Sequence, residues 1–395
     1  MSNAVPDDAD PVAKIGDLAA SAGVRRVHVL AWRDLDDVEA GGSELHIAEV
    51  ARLWAAAGVE VTMRTSWAQG QPVEAMRDGY RVIRRAGRYQ VFPRAAFAEI
   101  TRRTGPRDVL IEIWNGMPFL SPLWNPGPRV ILLHHVHADM WNMTLGPTLG
   151  PIGAVFESRV APPLYRRSTI ATLSESSKDE LVDDLGFDPA RITVVHPGID
   201  TRYSPGGERS PDPLVIAIGR IAPVKRYDML VRAAHHARRT VPDLRLHLVG
   251  DGYDRPTVEA AIRELDAGDW VTLRGSISDA EKIDLMRQAW VVASASAREG
   301  WGMTLTEAAA CGTPAVATRI AGHSDSVQDG RSGLLAEGDP AALGDALARI
   351  LSDGELRARL GAGALAWAGE LTWSNTATRL MRVVADEVSR RRSRR

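Results

Sequence analysis

A strand–helix alternation that runs twice constrains this chain more than any other feature. Residues 25–32 and 59–66 read as strands around a helix over 42–57, where Leu45, Ile47, Val50, Leu53 and Trp54 share one side. Apolar runs follow at 108–114 and 130–133, then a helix over 152–165, a strand at 169–173 and a helix over 176–185. The pattern breaks at His196-Pro197-Gly198 and at Pro205-Gly206-Gly207, because Pro and Gly clusters between periodic segments mark turns and linkers. It restarts with strands at 214–218, 244–249, 271–273, 291–295 and 313–317, separated by helices over 227–239, 255–265 and 279–288. Helices over 340–351, over 354–367 and from Thr372 close the chain. Such alternation demands parallel sheets covered by helices. The expected fold is therefore α/β, with Rossmann-like domains over 23–200 and 208–370 facing a central cleft. A C-terminal helix and basic tail over 371–395 are expected to return to the N-terminal domain. Residues 1–22 are polar, contain Asp and Pro, and are predicted to be disordered.

The 395 residues leave ample length for two cores, and 45% hydrophobic with 25% charged residues is ordinary for a globular chain. A formal net charge of −2 lacks the electrostatic footprint of a nucleic-acid binder. The single cysteine, Cys311, excludes an intramolecular disulfide framework and a multi-cysteine zinc site. The first residues carry Asp7, Asp8 and Asp10 and no apolar signal segment, and no run approaches the ~18 apolar residues of a membrane span. A cytoplasmic protein is expected. Between Arg81 and Arg107 lie eight arginines and one acid, Glu99, interleaved with Tyr89, Phe92 and Phe97, and residues 390–395 are again arginine-rich. Such stretches suit a solvated face, or peripheral contact with an anionic membrane at its inner face.

Two stretches could carry chemistry. Glu299-Gly300-Trp301-Gly302-Met303-Thr304-Leu305-Thr306-Glu307 follows an apolar strand and opens a helix. Free backbone N–H groups and the helix dipole at that start make an anion seat suited to a diphosphate, and the glycines allow close approach. Glu299 and Glu307 are hydroxyl acceptors, so a polyol ligand fits better than a second anion. The second stretch, Gly219-Arg220 with Lys225 five residues on, puts a guanidinium and an ammonium at a strand–loop–helix turn. Such a pair can clamp phosphates. Only four residues of the chain are lysines, Lys14, Lys178, Lys225 and Lys282, which makes each position informative.

These stretches, in this order, resemble the retaining GT-B glycosyltransferases of glycosyltransferase family 4. The likeness rests on the two glutamates at E-x7-E spacing, the preceding strand, the trailing A-x-x-x-G-x-P-x-V-A over 308–317, and Leu248-Val249-Gly250-Asp251-Gly252. It covers nearly all of 25–385. The resemblance implies that Arg220 and Lys225 hold the donor diphosphate and that Glu307 binds the ribose hydroxyls. It further implies that Glu299 contacts the donor sugar and that Gly300, Trp301, Gly302 and Met303 form the N–H seat. Gly250 and Ile277 would lie at the nucleotide, Ile277 near the base. Trp301 stands where many relatives carry Phe. In the N-terminal, acceptor domain, Gly41 and Gly42 would form a loop closing on the diphosphate, the plainer alternative being a turn capped by Ser43. Of His134-His135-Val136-His137, His134 would meet the donor sugar and acceptor, with His137 the second choice; zinc binding and a structural histidine compete. The implied reaction moves a sugar from a nucleoside-diphosphate sugar, UDP or GDP most readily, to a hydroxyl acceptor that the sequence does not identify. It proceeds with retention, and without metal or cofactor. A sugar-nucleotide epimerase of the same shape and a non-catalytic sugar-nucleotide binder are the alternatives.

Two decoys stand apart. Gly361-Ala362-Gly363-Ala364-Leu365-Ala366 fits G-x-G-x-x-A but has no strand before it. Asp34-Leu35-Asp36 is an acidic D-x-D of the kind that binds metal in GT-A enzymes.

Overall fold

The computed structural model describes residues 10–134, 136–137 and 140–393. The chain forms two compact units, one comprising the chain up to Gly198 together with Trp373–Arg395, the other Ile199–Thr372.

The first unit holds strands β1 (Arg26–Leu30), β2 (Glu60–Thr65), β3 (Glu74–Arg77), β4 (Tyr80–Arg84), β5 (Val109–Trp114), β6 (Arg129–Leu133), β7 (Thr169–Thr172) and β8 (Ile192–Val194). They form one sheet in the order β3-β4-β2-β1-β5-β6-β7-β8, parallel except for β3 against β4. Strands β5 and β6 are buried along their whole length, which is why they read as mostly apolar runs without alternation. The one acid among them, Glu112, accepts from the N–H groups of Phe119 (2.6 Å) and Ser121 (3.3 Å) and from Tyr165 Oη (2.6 Å). The β3–β4 hairpin escapes sequence pattern because β3 is a half-exposed polar edge strand.

Two sequence expectations are corrected here. The supposedly disordered start contains a helix over Pro11–Ser21, capped by Asp10, that buries Ile15 and Ala19 and packs on the C-terminal helix Trp373–Arg392; residues 1–9 lie outside the described residues. It is stabilised by a partner more than 350 positions away that no local pattern reveals. The 152–165 helix begins earlier, as Met140–Val155, and continues through a π-helical turn, Phe156–Val160, into Ala161–Tyr165. In the arginine stretch Arg85, Arg94, Arg102 and Arg103 are exposed, as a solvated face requires, and several of its charges are matched. Arg81 and Arg85 pair with Glu74, Arg88 with Glu39, Arg84 with Asp36 and Arg107 with Glu99, so most of its counter-charges come from elsewhere in the chain. Tyr89 and Phe97 remain exposed.

The C-terminal helix Trp373–Arg392 belongs to this unit. Trp54 Nε1 donates to Ala377 O (3.0 Å), and Thr169 Oγ1 to Glu387 (2.7 Å). Glu387 also takes Arg390 and Arg391 of the basic tail. Arg394 and Arg395 lie outside the described residues.

The second unit is an all-parallel six-stranded sheet in the order β11-β10-β9-β12-β13-β14. Its strands are β9 (Leu214–Ile218), β10 (Arg245–Val249), β11 (Val271–Gly275), β12 (Val291–Ser294), β13 (Ala315–Thr318) and β14 (Gly333–Ala336). The G-x-G-x-x-A decoy sits inside the helix Gly354–Ala368. A Cβ on Gly363 would stand 2.0 Å from Arg331 O, so that glycine permits a close helix–chain approach.

Gly250, at the end of β10, has φ +123°, and a Cβ there would stand 2.0 Å from Gly219 O. Gly250→Ala is expected to cost about 2–4 kcal/mol through backbone strain and a clash that no side-chain rotation relieves. The shift of the urea midpoint at unchanged slope measures it.

Candidate active site

In an open α/β sheet, ligands sit beyond the carboxyl ends of the strands where the strand order reverses. In the second unit that point lies between β9 and β12, because β9 leads on to β10 on one side and pairs with β12 on the other. The loops leaving these two strands carry the two motifs. After β9 the chain runs through Gly219 and the exposed Arg220 into a 3-10 turn, Pro223–Lys225. Arg226 then adopts φ +46°, uncommon outside glycine, and donates to Ala295 O (2.8 Å) and Ser296 O (3.1 Å) beyond β12. That staple, with Ala297 N–H to Val224 O (2.7 Å), locks the two loops together.

The lock brings Lys225 Nζ onto Glu299 Oε1, which also accepts from Ser296 Oγ (2.8 Å). Burial works to raise the Glu299 pKa, but Lys225 and the Ser296 hydroxyl outweigh it and hold the carboxyl below its ordinary range. Gly302, at φ +97°, caps the helix Met303–Ala310, whose first N–H groups have no acceptor within the helix. Trp301 is buried, while Gly300, Gly302 and Met303 are half-buried. His323, fully buried beyond β13, lies beside Gly302, where an added Cβ would be 3.2 Å from its ring. Its Nδ1 donates to Thr318 O (3.0 Å), leaving Nε2 an acceptor with no hydrogen-bond partner among the described residues. Burial lowers the His323 pKa, favouring the neutral ring.

One turn into the same helix, Glu307 is 7% exposed and bonded to Lys282 Nζ at 2.6 Å. Burial raises the Glu307 pKa, and Lys282 opposes that rise. Tyr203 completes the cluster, with Lys282 Nζ 5.2 Å from its ring centroid and its hydroxyl pushed up to about 12 by burial and by Glu307. Gly250 presses on Gly219 and donates to Gly275 O (2.8 Å), which ties the Gly275–Ile277 loop to this edge, with Ile277 half-buried.

The first unit repeats the logic. Its order reverses at β1, between β2 and β5. Beyond β1, Gly41 caps the helix Gly42–Ala56, and its N–H donates to Glu44 Oε2 (2.8 Å). Ser43 is not the cap; it lies inside the helix, donates to Glu44 (2.9 Å) and accepts from Asn115 Nδ2 (3.2 Å), just beyond β5. His134 directly follows β6, is buried, and has Nε2 3.2 Å from His46 Nδ1 of the Gly42–Ala56 helix. His46 in turn stacks on Trp373, 5.8 Å between centroids. The His137 N–H donates to Glu157 (3.0 Å), and His135 lies outside the described residues.

The D-x-D carboxylates are engaged elsewhere. Asp34 bonds Arg77 (2.8 Å) and lies 3.3 Å from Arg84, while Asp36 bonds both guanidiniums.

Sequence reasoning missed Ser296, His323, Tyr203, His46 and the part played by Lys282. The scarcity of lysine could have found Lys282. Ser296 lies three residues before Glu299 on the same loop, while His323, Tyr203 and His46 carry no local signal, because each meets the site only through the fold.

Burial lowers the His46 pKa to about 4, against about 6.5 in an unfolded chain. The folded form therefore binds fewer protons. The stability held above pH 6.5 is lost as pH falls toward 4, by at most roughly 3 kcal/mol. In His46→Gln, that part of the acid slope in urea midpoints should vanish.

Two Rossmann-like units, each a largely parallel sheet with polar side chains gathered at its reversal point, are the architecture of the GT-B fold class. Residues 40–203 match Glycosyltransferase Family 4, and residues 201–367 match Glycosyl transferases group 1. The D-inositol 3-phosphate glycosyltransferase of Corynebacterium urealyticum is 32% identical over 394 residues, 87% of this chain and 90% of that protein. Among solved structures, sucrose-phosphate synthase from Thermosynechococcus elongatus superposes with a TM-score of 0.77 at 19% identity, covering 90% of this chain and 97% of that one. Anabaena HepE in complex with UDP-glucose gives 0.70 at 19%, covering 90% and 98%. The chain belongs to glycosyltransferase family 4, and it is an enzyme that transfers glycosyl groups.

Proposed function

We propose that the enzyme moves a sugar from a nucleoside-diphosphate sugar to a hydroxyl acceptor, with retention at the anomeric carbon and without a metal ion. The observation that carries this is the meeting of Lys225 and Glu299 beside the Gly302 helix start at the reversal point of the second sheet. A cation and oriented N–H groups suit a diphosphate, and the carboxylates of half-buried Glu299 and buried Glu307 suit sugar and ribose hydroxyls. Arg220 adds a second cation from the β9 loop. As the glycosidic bond breaks, charge grows on the diphosphate, and preorganised donors stabilise it more than they stabilise the bound donor. The acceptor hydroxyl approaches the face the diphosphate leaves, and a leaving phosphate oxygen takes its proton, giving net retention. His134, with its ring oriented by His46, meets the sugar and acceptor. Metal independence is supported by Asp34 and Asp36, whose carboxylates are spent on Arg77 and Arg84.

UDP-glucose, seen bound in HepE, is the first donor to test, and the name of the Corynebacterium relative makes a phosphorylated polyol the first acceptor class. No described helix is long and apolar enough to cross a membrane. The exposed Tyr89 and Phe97 among arginines support peripheral contact with an anionic surface.

The test is a panel of UDP, GDP, ADP and TDP sugars with inositol phosphate acceptors, followed by mass spectrometry and proton NMR of the new anomeric centre. An α-product from an α-donor is expected. An inverted product overturns the retaining assignment, and donor turnover into an epimer without acceptor overturns the transferase reading.

A further inference from the structure

The second unit carries a groove of about 570 Å³ at the opposite end of its sheet from the motifs. Trp290 and Pro314 in its wall immediately precede β12 and β13, so it opens at the amino ends of the strands. Gly312 in its lining lies beyond the C-terminus of the Met303–Ala310 helix. Eight residues at about 1.5 Å rise separate it from the Gly302 end by about 12 Å.

Three arginines line this groove: Arg209, Arg287 and Arg357. Arg209 donates to Thr313 Oγ1 (2.6 Å), Gly312 O (2.7 Å) and Ala289 O. Arg357 lies 3.9 Å over the Trp290 ring and donates to Leu351 O (3.1 Å) and Ile350 O (3.2 Å). Arg287 donates to Ser204 O (2.8 Å) and Ser204 Oγ (3.1 Å). These acceptors orient the guanidiniums and carry no formal charge. Among the described residues, the one carboxylate within ion-pair distance of the three is Asp284, 3.4 Å from Arg287 and 63% exposed. Three fixed cations thus meet one solvent-screened carboxylate at ion-pair distance and a second, Asp353, that acts on Arg357 from farther off. Burial weakens the hold of Arg209 and Arg357 on their protons, as expected for guanidinium charge gathered in a partly desolvated place.

We propose that this groove is a second binding site, for a small organic phosphate, separate from the donor site. Guanidiniums bind phosphate oxygens in pairs, and a dianion offsets the excess charge better than a carboxylate does. The volume exceeds a bare phosphate, and the apolar wall of Trp290, Pro314 and Leu365 takes the organic body. The assignment does not depend on the donor site being read correctly.

Calorimetry with phenyl phosphate as the probe tests it on the full chain. Three variants serve: the Arg220→Ala, Lys225→Ala double substitution, Arg357→Gln, and Ala362→Phe, which fills the groove from an exposed position. The double variant should bind within about twofold of the wild type, while Arg357→Gln and Ala362→Phe each weaken binding by at least about tenfold. Since Arg357 also holds two carbonyls, Ala362→Phe alone decides the matter if Arg357→Gln does not melt as a folded protein. No binding by the wild type at millimolar probe overturns the proposal. So does loss in the double variant, or wild-type affinity in a folded groove variant.

Discussion

Lys225→Ala should lower kcat about 100- to 1,000-fold while raising the donor dissociation constant no more than about tenfold. Lys225 is held in place by Glu299 at the point where the β9 and β12 loops are stapled, so its ammonium is preorganised. An ammonium facing a diphosphate gains most when the leaving group acquires charge. Arg220→Ala should act in the same direction. The alanine at 225 also strips Glu299 of its main counter-charge, and burial then pushes that carboxyl upward. Single-turnover rates beside equilibrium donor binding separate the effects. An affinity loss with unchanged turnover would make Lys225 an anchoring group.

Glu307→Ala should weaken nucleotide binding by roughly 1.5–3 kcal/mol, because a buried ribose loses a charged acceptor. Lys282 gives this prediction a second handle. It opposes the burial that raises the Glu307 pKa, so Lys282→Met should leave that carboxylate more readily protonated and the ribose more weakly held. A deoxyribose donor should be less sensitive to either change. Titration of ribo- and deoxyribonucleotides into wild type and both variants checks this. Equal affinity throughout removes Glu307 from the site.

Much of this site could be read from sequence, because its parts are short and consecutive. A strand end, a glycine loop and a helix start lie within ten residues of one another at 218–227 and again at 294–303. The pairing of those parts could not be read. His323 reaches Gly302 from the short helix His323–Ser326 after β13, and Lys282 reaches Glu307 from a neighbouring helix, so neither contact has a sequence spacing that announces it. His46 lay in plain view on a predicted helix, yet its role depends on His134 and Trp373, 88 and 327 positions away. The same cause hid the Pro11–Ser21 helix, whose packing partner is the last helix of the chain. The partners of the arginines were hidden for a related reason. The arginines of 81–107 look unmatched along the sequence, whereas Glu74, Asp36 and Glu39 meet them across strands and loops.

The most direct test of the central claim is calorimetric titration of UDP and GDP into the enzyme in EDTA, repeated with Lys225→Ala and Glu307→Ala. Saturable binding of a nucleoside diphosphate without metal, weakened in both variants, is the predicted result. Binding that disappears in EDTA and returns with Mn²⁺, or that ignores both substitutions, would contradict it.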